Sequence, residues 1–170
     1  MTPVVVLIGV PGSGKTTVGR LVAEALRVEF RDTDVDVERI AGKTVADIFI
    51  EDGEPAFRAL EREAVTVALR DHDGVLALGG GAVLDATTRA LLAGHRIVWL
   101  EVGLAEATKR VGLARERPVL ALNPRATLAK LLAERTPHYE ALASVKVSTD
   151  GRDPEDVSAD VVAFTAVGPR

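Results

Sequence analysis

Gly9-Val10-Pro11-Gly12-Ser13-Gly14-Lys15-Thr16 is the stretch on which the reading of this 170-residue chain turns. It matches G-x-x-x-x-G-K-[ST] without a gap, and its neighbours supply the context that the pattern needs. Before it, Val4-Val5-Val6-Leu7-Ile8 is β-branched and unbroken, as a strand buried on both faces should be. After it, Val18, Leu21, Val22, Ala25 and Leu26 fall at helical spacing. The glycines let the backbone curl until successive N–H groups point at one centre, and the following helix adds unpaired donors and the positive end of its dipole. Lys15 can bridge the β- and γ-phosphates of a nucleoside triphosphate, and the Thr16 hydroxyl can bind Mg2+. A plain Gly-rich turn with an exposed lysine is the bland alternative, and strand, loop and helix together disfavour it.

Outward from the loop, strand-like runs alternate with helical spacing. A short strand ends at Phe30-Arg31-Asp32, and residues 34–41 and 44–50 read as short helices. Residues 54–70 form the clearest helix, with Gly53 before it, Pro55 in its first turn, and Phe57, Leu60, Ala64, Val67 and Ala68 on one face. Val75-Leu76-Ala77-Leu78 and Ile97-Val98-Trp99-Leu100 are further buried strands, and Val145-Lys146-Val147 is a weaker last one. Residues 125–135 and 153–164 read as helices. Strands separated by helices imply right-handed crossovers and a parallel sheet covered on both faces, with ligands at the carboxyl ends of the strands.

Composition narrows the class. The chain suits a single domain over residues 1–170, and 47% apolar residues supply a sizeable core. With no cysteine there is neither a disulfide framework nor a thiolate metal site, which fits a reducing compartment. Residues 1–9 lack the basic start of a signal peptide, and no apolar run approaches the roughly 20 residues of a membrane span. A formal net charge of −4 argues against a nucleic-acid surface. The expectation is a cytoplasmic protein acting on small molecules, with no nucleic-acid or membrane partner.

The loop does not say where the γ-phosphate goes; residues further along narrow that. Asp32-Thr33-Asp34 follows the second strand, with two carboxylates pointing different ways, one for a metal and one for an acceptor hydroxyl. Thr33 or Asp34 as a helix N-cap is the plainer role. Arg58 borders the apolar face of its helix, with Glu61 one turn on; it could clamp a carboxylate or form a surface ion pair. Gly79-Gly80-Gly81 ends the third strand and offers close backbone approach and free N–H donors, or only a flexible turn. That strand carries no Asp at its end, so Asp32 is the better metal candidate. Leu128, Leu131 and Leu132 form an inward stripe whose next member is Arg135, a charge that needs an anionic ligand or a buried acid. Lys109, Arg110, Arg115 and Arg117, with Gly112 and Pro118, suit a mobile basic lid over residues 112–124, or a solvated charged loop. His72, His95 and His138 lack metal-ligand spacing, and Trp99 reads as core.

In this order, the phosphate loop, Phe30 to Asp34, Asp52-Gly53-Glu54 through Phe57-Arg58 and Glu61, Leu78 through Val83, Arg117-Pro118-Val119-Leu120, and Arg135 with Tyr139 resemble the shikimate kinase family over nearly the whole chain. The resemblance implies a nucleoside-monophosphate-kinase-like P-loop kinase: three α/β/α layers, a five-stranded parallel sheet, a substrate-binding helical segment over residues 33–61, and the lid. It implies ATP-dependent phosphorylation of the shikimate 3-hydroxyl, a step of chorismate and aromatic amino-acid biosynthesis. Asp34 would then orient or deprotonate the hydroxyl, with Lys15 and Arg117 as the other catalytic groups. Gly12, Ser13, Gly14, Lys15, Thr16, Thr17, Arg110, Arg117, Arg152, Asp153 and Pro154 would bind ATP. Phe57, Arg58, Glu61, Gly79, Gly80, Gly81 and Arg135 would join Asp34 around shikimate, and Thr16 and Asp32 would hold one Mg2+. A monomer is expected. Val119 stands where the family usually has Leu. Two other classes fit parts of the pattern: a kinase of gluconate or of a nucleoside monophosphate, and a nucleotide-dependent switch. The switch wants an exposed apolar effector surface that the sequence does not show.

Overall fold

The apolar run before the phosphate loop becomes β1 (Val5–Ile8), buried along its whole length. The computed structural model describes residues 2–113 and 123–168. With β1, the strands β2 (Phe30–Asp32), β3 (Val75–Ala77), β4 (Ile97–Glu101) and β5 (Val145–Ser148) make one parallel sheet in the order β2-β3-β1-β4-β5. Leu7 stands opposite both Ala77 and Val98, so β1 is central and neighboured on both sides. Leu78 extends the ladder past β3, its N–H donating to the Leu7 carbonyl at 3.1 Å.

Successive strand residues point to opposite faces, and that alternation sorts the core into two layers. Val5, Leu7, Val75, Val98 and Leu100 pack against α1 (Lys15–Leu26) and α8 (Pro154–Ala166). Val6, Ile8, Leu76, Ile97 and Trp99 pack against α4 (Glu54–Asp71), α5 (Ala86–Leu92), α6 (Leu104–Leu113) and α7 (Pro124–Leu142). Trp99 is core, as its strand pattern says. A smaller cluster of Val37, Ile48, Phe57 and Ala64 joins α2 (Thr33–Ala41), α3 (Val45–Glu51) and α4 beside the β2 edge. This is the expected α/β/α sandwich with its five-stranded parallel sheet. Among the described residues, no helix is long and apolar enough to cross a membrane.

Two helices differ from the sequence reading. The reading ends α7 at residue 135, but the helix continues through Pro137 to Leu142. A proline inside a helix costs about 3 kcal/mol; burial of Tyr139 and packing of Leu142 against the core offset it. The reading has no counterpart to α5, whose N-cap is Asp85, its carboxylate accepting the Thr88 N–H at 2.8 Å.

Candidate active site

Everything in the site lies at the carboxyl edge of the sheet. After β1 the chain enters the phosphate loop, where Gly12 and Gly14 take φ of 84° and 90°, values that side chains resist. Gly14 caps α1 without a side-chain bond, and the first turn of α1 carries no acid. The helix N-terminus therefore offers its N–H groups to an anion. Lys15 Nζ donates to the carbonyl oxygens of Gly9 at 2.6 Å and Val10 at 3.1 Å, which keeps the ammonium over the loop. Ser13 is fully buried, while Thr16 and Thr17 face outward.

The Thr16 hydroxyl donates to Asp32 Oδ2 at 3.2 Å, and Asp32 Oδ1 accepts the Asp34 N–H at 2.9 Å. The N-cap of α2 is thus Asp32. The capping role considered for Thr33 or Asp34 falls one residue earlier, because the chain leaves β2 directly into the helix. Thr33 is buried in the first turn, and its hydroxyl accepts the Gly79 N–H at 3.1 Å. Asp34 is left to face the glycine segment: a Cβ on Gly79 would lie 2.7 Å from Asp34 Oδ1 and 2.7 Å from Glu61 Oε2. Two carboxylates converge there, which only glycine permits. One hydroxyl and one carboxylate, Thr16 and Asp32, suit a Mg2+ ion that takes its other oxygens from water and phosphate. Among the described residues no larger cluster of metal-ligating groups exists.

On α4, Arg58 donates to Glu61 Oε1 at 2.7 Å and pairs with Glu54 at 3.3 Å. The ion pair that the spacing allows does form, but on the Glu61 side it is not a surface one: the Glu61 side chain is only 4% exposed, against 61% for Glu54. Burial raises the Glu61 carboxyl above its ordinary range, the Arg58 cation opposes this, and Asp34 adds to it. Phe57 packs beneath, its ring 4.6 Å from that of Phe49, with the Arg58 guanidinium 5.3 Å above it. A Cβ on Gly81 would collide with the Arg58 guanidinium, and one on Gly80 would lie 3.0 Å from Arg135 Nη1. Two guanidinium groups thus bracket the glycine segment. They differ in pairing. Among the described residues no acid lies within ion-pair distance of the buried Arg135, and its Nε has no hydrogen-bond partner. The nearest thing to the buried-acid partner considered for Arg135 is Glu61, whose carboxyl feels the Arg135 charge without forming an ion pair with it.

On the other side of the phosphate loop, Arg110 donates to the Gly12 carbonyl at 3.1 Å and to the Thr149 carbonyl at 3.0 Å. Arg152 pairs with Asp160 at 2.8 Å, Asp153 caps α8 and Pro154 opens it. Arg115, Arg117, Pro118, Val119 and Leu120, the heart of the expected lid, lie outside the described residues. Thr33, considered only as a cap, and two side chains given no role by the sequence reading hold this site together: Thr149, whose hydroxyl donates to the Glu101 carbonyl at 2.9 Å, and Tyr139, whose hydroxyl donates to the Gly80 carbonyl at 2.6 Å. Each bonds a backbone group, which carries no residue identity to search for, and Thr149 also accepts from Arg110 at 3.2 Å.

A phosphate loop on a central parallel strand, facing a carboxylate pair and two guanidinium groups at one sheet edge, defines a P-loop kinase. The chain belongs to the shikimate kinase family, whose sequence model matches residues 11–166. A shikimate kinase of Salinispora arenicola is 60% identical over 166 residues, covering 98% of this chain and 99% of that protein. One of Thermobifida fusca is 61% identical over 161 residues, covering 95% and 93%. The solved shikimate kinase of Acinetobacter baumannii, in complex with shikimate, superposes with a TM-score of 0.92 at 33% identity, covering 98% of this chain and 93% of that one.

Proposed function

We propose that this chain transfers the γ-phosphoryl group of ATP to the 3-hydroxyl of shikimate, giving shikimate 3-phosphate and ADP, in the route to chorismate and the aromatic amino acids. The observation that carries this reading is the asymmetry of the two arginines. Arg58 is already in ion pairs with two acids, whereas buried Arg135 forms no ion pair among the described residues and stands beside the same glycines. An acceptor with a carboxylate relieves that charge, and Asp34 across the segment can take hydrogen bonds from its hydroxyls. The shikimate-bound relative of the same fold points the same way.

In this reading Lys15 bridges the β- and γ-phosphates, and Thr16 with Asp32 holds one Mg2+, which neutralises phosphate charge. Gly12, Ser13, Gly14 and Thr17 line the phosphates; Arg110, Arg152, Asp153 and Pro154 flank the adenine; Arg117, outside the described residues, is assigned to the transferring phosphoryl group by the family resemblance alone. Asp34 aligns the attacking hydroxyl and accepts its proton. Phe57 forms an apolar wall, and Glu61 keeps Arg58 aimed at the carboxylate. The protein works as a monomer in the cytoplasm. A coupled ADP-release assay with shikimate, gluconate and AMP tests the acceptor: shikimate-dependent ADP release is expected, and none at saturating Mg-ATP would overturn the reading.

A further inference from the structure

The glycine segment places the acceptor's backbone donors, and its peptide planes are held in different ways. The Gly79 N–H is held by Thr33. The Gly79 carbonyl accepts from the Ala82 N–H at 3.0 Å, and the Gly81 carbonyl from the Leu84 N–H at 3.1 Å, both within the local turn. The plane between Gly80 and Gly81 has no local bond of this kind. Its carbonyl accepts from the Tyr139 hydroxyl at 2.6 Å, a residue 59 positions further along. In a trans peptide the C=O and N–H lie on opposite edges, so whatever fixes the Gly80 carbonyl also aims the Gly81 N–H. Among the described residues, neither the Gly80 nor the Gly81 N–H meets a backbone or side-chain acceptor.

That plane is also the easiest in the segment to turn over. A half-turn would carry φ of Gly81 from −94° to the left-handed side, which glycine tolerates at little cost. The result would replace an N–H donor by a carbonyl oxygen beside the anion subsite. We infer that Tyr139 is a positioning residue whose hydroxyl locks the Gly80–Gly81 peptide, so that the Gly81 N–H faces the acceptor carboxylate between Arg58 and Arg135. Tyr139 is built for this. It is fully buried, its ring lies 5.8 Å from that of Trp99, and Arg135 sits one helical turn earlier against Gly80. Burial, opposed by the Arg135 cation, pushes the phenol up to about 12, so the hydroxyl remains a donor at neutral pH.

The inference rests on the shikimate reading above and is tested with Tyr139→Phe, which keeps the ring and removes only the donor. Calorimetric titration and steady-state kinetics should show the shikimate Kd and KM raised about ten-fold, with the ATP KM and kcat within about two-fold of wild type. Val161→Ala, in the core layer on the far face of the sheet, is the control for plain destabilisation and should move neither KM. An unmoved shikimate Kd in Tyr139→Phe overturns the lock, as does an equal rise in both KM values or the same shikimate effect from Val161→Ala. Wild-type protein that neither binds nor phosphorylates shikimate overturns both the lock and the reading beneath it.

Discussion

At the residue scale, the two arginines beside the glycines are chemically alike and energetically opposite. Removing Arg58 leaves Glu61 buried without its ion partner, a change that costs about 3–5 kcal/mol in comparable pairs. Removing Arg135 deletes a buried guanidinium that forms no ion pair among the described residues and only attracts Glu61 from beyond contact distance. Arg58→Met is therefore expected to lower the Tm of the ligand-free protein, and Arg135→Met to leave it unchanged or raise it, as read by calorimetry. Both should raise the shikimate KM by about 10- to 100-fold, the range set by charge-assisted hydrogen bonds, with the ATP KM little changed. Equal Tm losses would refute the pairing difference. Asp34→Asn should cut turnover by roughly 100-fold or more if its carboxylate aligns the hydroxyl and takes its proton. Near-normal turnover would return Asp34 to a structural role. Glu61 adds a pH signature. Its carboxyl is raised in the folded protein, so its share of stability is complete below the ordinary value of 4.5 and is lost as pH rises through the folded value. Glu61→Gln does not titrate. The gap in Tm between wild type and this variant should thus shift in the variant's favour between pH 4 and pH 8, and a constant gap would contradict the assignment.

At the element scale, the donor half is fastened by one side chain of α6. Arg110 joins the Gly12 carbonyl of the phosphate loop to Thr149, whose hydroxyl in turn donates to the Glu101 carbonyl at the end of β4. Arg110→Ala releases the phosphate loop from the β5–α8 turn. The ATP KM should rise about ten-fold, the scale of lost hydrogen bonds from a charged group, and the shikimate KM should hold; an unchanged ATP KM would show that the tie is idle. The phosphate loop was legible in the sequence because strand, glycines, lysine and helix are contiguous and each is demanded by local geometry. The tie was not, since Arg110 and Thr149 are 39 positions apart and its carbonyl acceptors could belong to any residue. The end of α7 was misread for a related reason: Pro137 is a strong local stop signal, and what overrides it is tertiary packing around Tyr139. The ion pair of Arg58 could be read from its spacing, but the burial that changes its meaning could not.

At the scale of the whole molecule, alternating runs and helical faces reveal a covered parallel sheet, but nothing local gives the order β2-β3-β1-β4-β5, and the resemblance was read only as far as five parallel strands. This order sets β3 between β1 and β2, so that the glycine segment stands beside both the phosphate loop and Asp34. In the proposed reading the donor groups gather on the β1–α1 loop, α6 and the β5–α8 turn, and the acceptor groups on α2, α4, the glycine segment and α7. Within the described residues the Thr16–Asp32 bond at 3.2 Å crosses between these groups. Two separately addressable subsites make a testable division. A ligand present at 100 times its Kd stabilises a folded protein by about 2.7 kcal/mol, which for a chain of this length is a Tm shift of roughly 5–10 °C. Mg-ADP and shikimate should each give such a shift with the wild type. Gly12→Ala forces a side chain onto a φ of 84° and to within 3.2 Å of Val111 and 3.3 Å of the Ala107 carbonyl. It should abolish the nucleotide shift and spare the shikimate shift, while Arg135→Met should spare the nucleotide shift and cut the shikimate shift to about half or less at the same ligand concentration. If Arg135→Met erased the Mg-ADP shift as well, Arg135 would belong to the nucleotide, and the acceptor half would have to be drawn around Arg58 alone.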